Sequence, residues 1–362
     1  MNESRLKISL SSLGVVIVTV LSLILLWHLR SLLVTLMIAV VLAATLSPIV
    51  DTMEKFVPRW LAVIVAYLGI IAVVTGASLI IGPTVFTQIQ RLLQKFPLYL
   101  DILSNLTEDL ILRIGITEPR ALNLIDQLLD LQALTSWAVR SSQKLLVSSL
   151  GLTKGLVGAV LNLILSVLLS GYLLAGSQKL IKGFIALFPS PWDARLEAQF
   201  PPVTDRMGRY IQGRILVSFL LGVAITIGLK WVGITEFALG LGVIAGFTNL
   251  IPFFGPVLGS IPALIVAIAQ GGWVFLWVFL LFVIIQNVET YVLDPLLVGS
   301  SVKVEPLYQL LAVLGGVQVL GILGAIIVPP WVAGAGVVLE NLYLQPKLAK
   351  SNGLVVETCS KN

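Results

Sequence analysis

Apolar residues run in blocks long enough to cross a bilayer, about 20 residues each. They fall at 8–29, 31–49, 60–82, 155–176, 211–232, 273–293 and 307–332. An eighth block, 237–270, is equally apolar but contains Pro252, Pro256 and Pro262. The pattern predicts an all-α polytopic membrane protein with about eight transmembrane segments, one of them discontinuous. The run from 8 onward is longer than a signal-peptide core and lacks a small-residue cleavage site, so it is read as an uncleaved first span.

Two stretches break the apolar pattern. In 84–154, charged residues alternate with leucines, and Ile89, Leu92, Phe96, Leu100 and Leu103 recur at helical spacing. Pro97, Gly115 and Pro119 are expected to divide this extramembrane insertion into helices, which either pack on themselves as a cap or form an arm against a subunit or the membrane surface. The second stretch, 177–212, has more Lys and Arg than Asp and Glu, which puts it on the cytoplasmic side. Counting back places the N-terminus, with Arg5 and Lys7, on that side too. The expected organisation is a three-span segment 1–83, the arm 84–154, a fourth span 155–176, connecting helices 177–210, a four-span transport core 211–336 and a tail 337–362. A single crossing by 237–270, favoured slightly by the weakly acidic 294–305 loop and the weakly basic tail, puts that loop outside and the tail inside; a re-entrant hairpin returning to its own side would reverse both.

Composition agrees with a membrane protein. Hydrophobic residues make up 57% of the chain and charged ones 11%, against about 25% charged in soluble domains. The formal charge of +5 is scattered over loops, with no basic run that would bind nucleic acid. The single cysteine, Cys359, excludes an intrachain disulfide, and the single histidine, His28, flanks the first span. No catalytic group, metal site or cofactor is called for.

The chemistry concentrates in FTNLIPFFGPVLGSIP, 247–262. Each proline removes an N–H and displaces the carbonyl four residues earlier. The carbonyls concerned are those of Thr248, Pro252 and Leu258. Irregular backbone survives in a bilayer only against protein or a watery cavity. Two half-helices, about 237–250 and 256–270, are therefore expected to meet near mid-membrane, with Gly255 supplying unusual dihedrals and Pro256 opening the second. Thr248, Asn249, Pro252, Gly255, Pro256 and Gly259 are the candidate substrate or ion path, as in transporters with discontinuous helices. The plainer reading is a kink that only shapes packing. Gln286, Asn287 and Glu289 interrupt the next span. Glu289 is an intramembrane ionisable group that either lines the path or sits at the interface near Asp294. Pro262, Pro295, Gly299, Pro306, Gly321 and Gly324 are assigned to packing or gating.

The chain resembles the autoinducer-2 exporter family of bacterial membrane proteins. The resemblance rests on the 242–259 run, QNVETYVLDPLLVGSSVKVEPL, GILGAIIVPP and YIQGRILVSFLLG. It departs from the family at Thr290, where Asn often follows the acidic residue, and at Glu305, where His often precedes the proline. The resemblance implies a homo-oligomeric transporter in the bacterial inner membrane, moving small molecules or ions outward. A secondary exporter of a small polar metabolite leads, and a monovalent cation/proton antiporter with Glu289 as carrier is the alternative. No nucleotide-binding loop is present. A scaffold organised by the arm and an intramembrane enzyme are the remaining classes, the latter opposed by the lack of clustered nucleophile, base or ligands.

Overall fold

The computed structural model describes residues 29–114, 153–299 and 305–347. The first span with His28, the second half of the arm and the end of the tail with Cys359 lie outside the described residues. The described residues form helices joined by short turns, and no strand occurs among them. Five helical stretches are long and apolar enough to cross a membrane: Ser31–Met53, Arg59–Leu103, Trp192–Val232, Gly272–Val298 and Ile322–Lys347. A bent pair, Val160–Gly176 with Gln178–Ile185, adds a sixth, and Ala238–Thr248, Phe254–Gln270 and Pro306–Leu320 are shorter apolar helices. The all-α polytopic expectation therefore holds.

In chain order, α1 is Arg30–Met53, α2 Arg59–Ile114, α3 Thr153–Ile185, α4 Trp192–Glu197 and α5 Phe200–Val232. After these come α6 Ala238–Thr248, α7 Phe254–Gln270 and α8 Gly272–Val288, which continues into a π-helical segment, Glu289–Gly299. Pro306–Leu320 is α9 and Ile322–Leu339 is α10. Helix α2 is a single 56-residue helix with Pro83 and Pro97 inside it. At 1.5 Å per residue it is about 84 Å long, so Pro97 does not divide the arm as expected. Helix α3 bends by 85° at Gly176. Helix α5 starts at Phe200, ahead of the apolar block, and stops where Gly233 takes a left-handed conformation (φ 107°) and caps the carbonyls of Leu229 and Lys230.

Many side chains on the outer faces of α2 and α8, such as Ile71, Val74, Leu79 and Ile284, are exposed. In water such faces would aggregate; a bilayer solvates them. Trp231, Trp273 and Trp277 are exposed near one end of the helices, where amphipathic rings suit the membrane interface. Inside, Leu92 and Tyr99 of α2 join Leu229 of α5, Phe237, Leu241 of α6, Val266 of α7 and Val278 of α8 in one buried core. The lower part of the arm is thus tied to the transport core. Lys95 pairs with Glu236 at 2.8 Å, and Gln88 Oε1 accepts the Gly240 N–H at 2.7 Å, satisfying a free donor in the first turn of α6.

Two expected crossings turn out to be hairpins. Along α7, Gly255 packs against Thr248 and Asn249, and Gly259 packs one turn earlier on α6, against Ala245. Successive turns of α7 retrace α6 in reverse, so 237–270 folds back instead of crossing once. The block 307–332 also folds back. Gly321 adopts φ 65°, ψ −152°, a conformation open essentially to glycine alone, and Gly316 of α9 meets Gly324 of α10 backbone to backbone.

These reversals set which end of α5 the described residues 294–299 and 337–347 lie against. The Leu297 carbonyl lies against Gly213, Glu340 pairs with Arg206 at 3.4 Å, and Asn341 donates to Gln199 at 2.8 Å. All three contacts lie toward the start of α5, whereas Glu236 and Gly240 lie beyond its end. The described residues 294–299 and the start of the tail therefore lie at the same end of α5 as the 177–212 stretch, whereas a single crossing by 237–270 would put 294–299 at the other end. In a Cys359→Ser background, Glu236→Cys and Gly272→Cys should react with a membrane-impermeant maleimide from one face of the membrane, and Asp193→Cys from the other. Labelling of Gly272→Cys from the face of Asp193→Cys would contradict the α6–α7 hairpin.

Candidate functional site

The tip of the α6–α7 hairpin satisfies its own backbone. The Ile251 N–H donates to the Thr248 carbonyl at 2.9 Å, Gly255 N–H to Ile251 at 2.9 Å, and Phe254 N–H to Pro252 at 2.8 Å. Two of the carbonyls released by prolines therefore bond within the turn and are not held out for a ligand. The unusual dihedral falls on Phe253 (φ 64°), not Gly255. A positive φ on such a residue costs on the order of 1–3 kcal/mol. Gly255 serves a different need: a β-carbon there would stand 2.6 Å from Asn249 Cα and closer still to the Thr248 carbonyl. Helix α7 opens at Phe254, leaving Pro256 within the first turn, where a missing N–H costs nothing.

This turn delivers Asn249 into the protein, where it is 2% exposed. Its Nδ2 donates to Glu289 Oε1 at 3.0 Å, and Arg214 of α5 donates to the same oxygen through Nη1 at 3.1 Å. Arg214 Nη2 reaches Asn249 Oδ1 at 3.5 Å, the limit of a hydrogen bond. The Arg214 and Glu289 side chains are 7% and 2% exposed. Buried charges of this kind persist only when paired and hydrogen-bonded.

Asp294 is the fourth member, its Oδ1 3.6 Å from Arg214 Nη1. Glu289 and Asp294 are five residues apart, which on an α-helix separates them by about 140°. The π-helical segment bonds each residue to the fifth along and brings both carboxylates toward Arg214. Pro295 in its middle lacks the N–H that an α-helix would direct to the Tyr291 carbonyl. One guanidinium faces two carboxylates, leaving one excess negative charge when all three are ionised.

A cavity of about 450 Å³ opens beside the cluster, within the range of small-molecule sites. Pro252, Phe253 and Pro256 from the hairpin and Phe279 and Phe282 from α8 form its apolar wall. Its polar groups are Arg214, Ser260, Glu289, Asp294, Gln286, Thr290 and, from α9, Gln309, which also bonds the Tyr210 hydroxyl at 3.0 Å.

The sequence-derived candidates separate accordingly. Pro252, Pro256, Gln286 and Glu289 line the cavity, and Asn249 is bonded to Glu289 behind it. Thr248 directs its hydroxyl to the Ile244 and Ala245 carbonyls. Gly255 and Gly259 are helix–helix contacts. Asn287 is exposed, donates to the Val283 carbonyl at 2.7 Å and does not line the cavity. Pro262 lies inside α7, Gly299 ends the π-helical segment, Pro306 opens α9, and Gly321 and Gly324 form the second hairpin. Arg214 and Asp294 were not among the candidates. Arg214 carries a readable signal, as the only charged side chain in the block between Ile211 and Leu229.

A family model described as AI-2E family transporter matches residues 15–344. YueF of Bacillus subtilis (strain 168) is 28% identical over 319 residues, covering 88% of this chain and 86% of YueF. YrrI of the same organism is 40% identical over 144 residues, 40% of each chain. YhhT of Escherichia coli (strain K12) is 24% identical over 217 residues, covering 58% of this chain and 59% of YhhT. The names of all three place them with transport proteins and specify no cargo. With its apolar helices and a family match over nearly its whole length, the chain is an integral membrane protein and belongs to the AI-2E family of transporters.

Proposed function

We propose that this protein is a secondary transporter of the bacterial inner membrane that exports a small polar molecule, of the class of autoinducer-2-type signalling metabolites. The observation that carries this reading is the buried Arg214–Glu289–Asn249 cluster at the tip of a re-entrant hairpin, opening onto a 450 Å³ cavity. Hydrogen-bonding groups on one wall and aromatic and proline rings on the other suit a compact cargo rich in hydroxyl or carbonyl groups. Hairpin tips beside buried charge are where transporters hold and release cargo. The cargo leaves chemically unchanged, the N-terminus lies in the cytoplasm, and the exposed apolar faces of α2 and α8 are available to lipid and to further copies of the chain.

Untargeted metabolite comparison of cells with and without the protein tests this. One small polar metabolite should accumulate inside cells lacking it and return to the medium on re-expression. Identical profiles inside and outside would remove the export reading. Antiport of a monovalent cation against protons is the second reading, supported by the excess carboxylate. It requires sodium- or potassium-driven proton flux in liposomes containing no metabolite.

A further inference from the structure

We propose that Asp294 is a proton-binding site that couples movement of cargo through the cavity to the transmembrane proton gradient. The inference rests on the transport reading above and supplies its driving ion.

The two carboxylates facing Arg214 are not equivalent. Glu289 is enclosed, and its Oε1 accepts from both Arg214 and Asn249. Asp294 is open to the cavity, with a side chain 40% exposed. Yet its Oδ1 is buried and has no hydrogen-bond partner among the described residues, standing 3.6 Å from Arg214 Nη1. A buried acceptor without a donor is costly, and an excess charge in a membrane interior more so. A proton taken from the cavity removes the excess charge and converts the carboxylate to a carboxyl group.

Among the described residues the surroundings hold no rival for this role. From α5 the site faces Arg214 and Tyr210, whose hydroxyl is engaged by Gln309. Farther along α5, Arg209 is paired with Asp205 at 2.8 Å. Helix α8 carries no titratable side chain, and within the π-helical segment the other carboxylate is Glu289. Arg214 itself is 7% exposed on a wall of the same cavity, and its Nε has no partner among the described residues. The guanidinium therefore retains a donor for an acceptor brought by the cargo or by water.

The guanidinium also transmits the proton's effect. Ionised Asp294 competes with Glu289 for Arg214 Nη1, whereas protonated Asp294 leaves Nη1 to Glu289. Because Nη2 of the same group reaches Asn249, the competition bears directly on the hairpin tip. Proton uptake and release thus bias the α6–α7 hairpin, the element that must move for the cavity to open to either side.

The experiment is a pH jump on purified full-length protein in liposomes adsorbed to a sensor electrode, with the proton as the probe. Wild type should give a transient charge displacement that is lost in Asp294→Asn, restored in Asp294→Glu and unchanged when sodium or potassium is exchanged for choline. Monodisperse elution of every variant excludes misfolding. No displacement in wild type, displacement persisting in Asp294→Asn, or displacement only after a sodium or potassium step would each overturn the proposal. Efflux of metabolite from cells is scored separately. Wild-type efflux without a proton signal defeats the coupling and leaves transport standing, whereas absence of efflux defeats transport itself.

Discussion

Replacing Arg214 with methionine should destabilise the protein by about 3–5 kcal/mol and abolish transport. Removing one partner of a buried ion pair strands the other charge, and that is the usual size of the penalty. Here Glu289, 2% exposed, keeps only Asn249 as a donor to its Oε1, and Asp294 loses its nearest cation. Denaturant unfolding in detergent, followed by tryptophan fluorescence, measures the first effect. The double variant Arg214→Met, Glu289→Gln should recover much of the stability, because neutralising both members of a buried pair is often nearly neutral. Transport should not recover, since neither side chain remains to hold the hairpin tip or the cargo. An Arg214→Met protein as stable as wild type would show that the pair is not buried, and a transporting double variant would show that it is not part of the path.

Gly255→Ala is the second large effect. The added carbon meets Asn249 Cα at 2.6 Å and the Thr248 carbonyl nearer still, and backbone cannot rotate aside as a side chain can. Overpacking of this kind costs about 1–3 kcal/mol. The strain is relieved by parting α7 from the end of α6, which withdraws Asn249 from Glu289. Most of the transport should therefore be lost from protein that still inserts and elutes as a single species. Gly315→Ala is the matched control: its β-carbon meets nothing within 4 Å, and both stability and transport should match wild type. Equal behaviour of the two variants would mean that the α6–α7 contact does not set the position of the tip.

Glu289 shows why the site was partly readable in advance. A carboxylate and an amide deep in apolar blocks are expensive unless partnered, so Glu289 and Asn249 stand out by residue type and depth alone. Arg214 bears the same signal but sits near the cytoplasmic boundary assumed for its block, where a cation is unremarkable. Only the early start of α5 at Phe200 places it well inside the helix. Asp294 gave no usable signal, because α-helical spacing turns it away from Glu289 and only π-helical bonding returns it to the same side.

Hydrophobic periodicity and block length are local properties, and they were enough to establish a polytopic all-α membrane protein; the prolines placed its break between 250 and 256, close to the 249–253 turn of the structure, while the family rested on a resemblance of motifs. The direction of the chain after a break is not local. Pro252 releases the same backbone groups whether the helix continues or doubles back. The choice is made by Gly255 and Gly259 fitting against Thr248, Asn249 and Ala245, as Gly316 and Gly324 fit in the second hairpin. Those contacts also choose the partners of the buried charges: α5, the hairpin tip and the π-helical segment meet only once the chain has reversed, and the low dielectric there makes their pairing decisive.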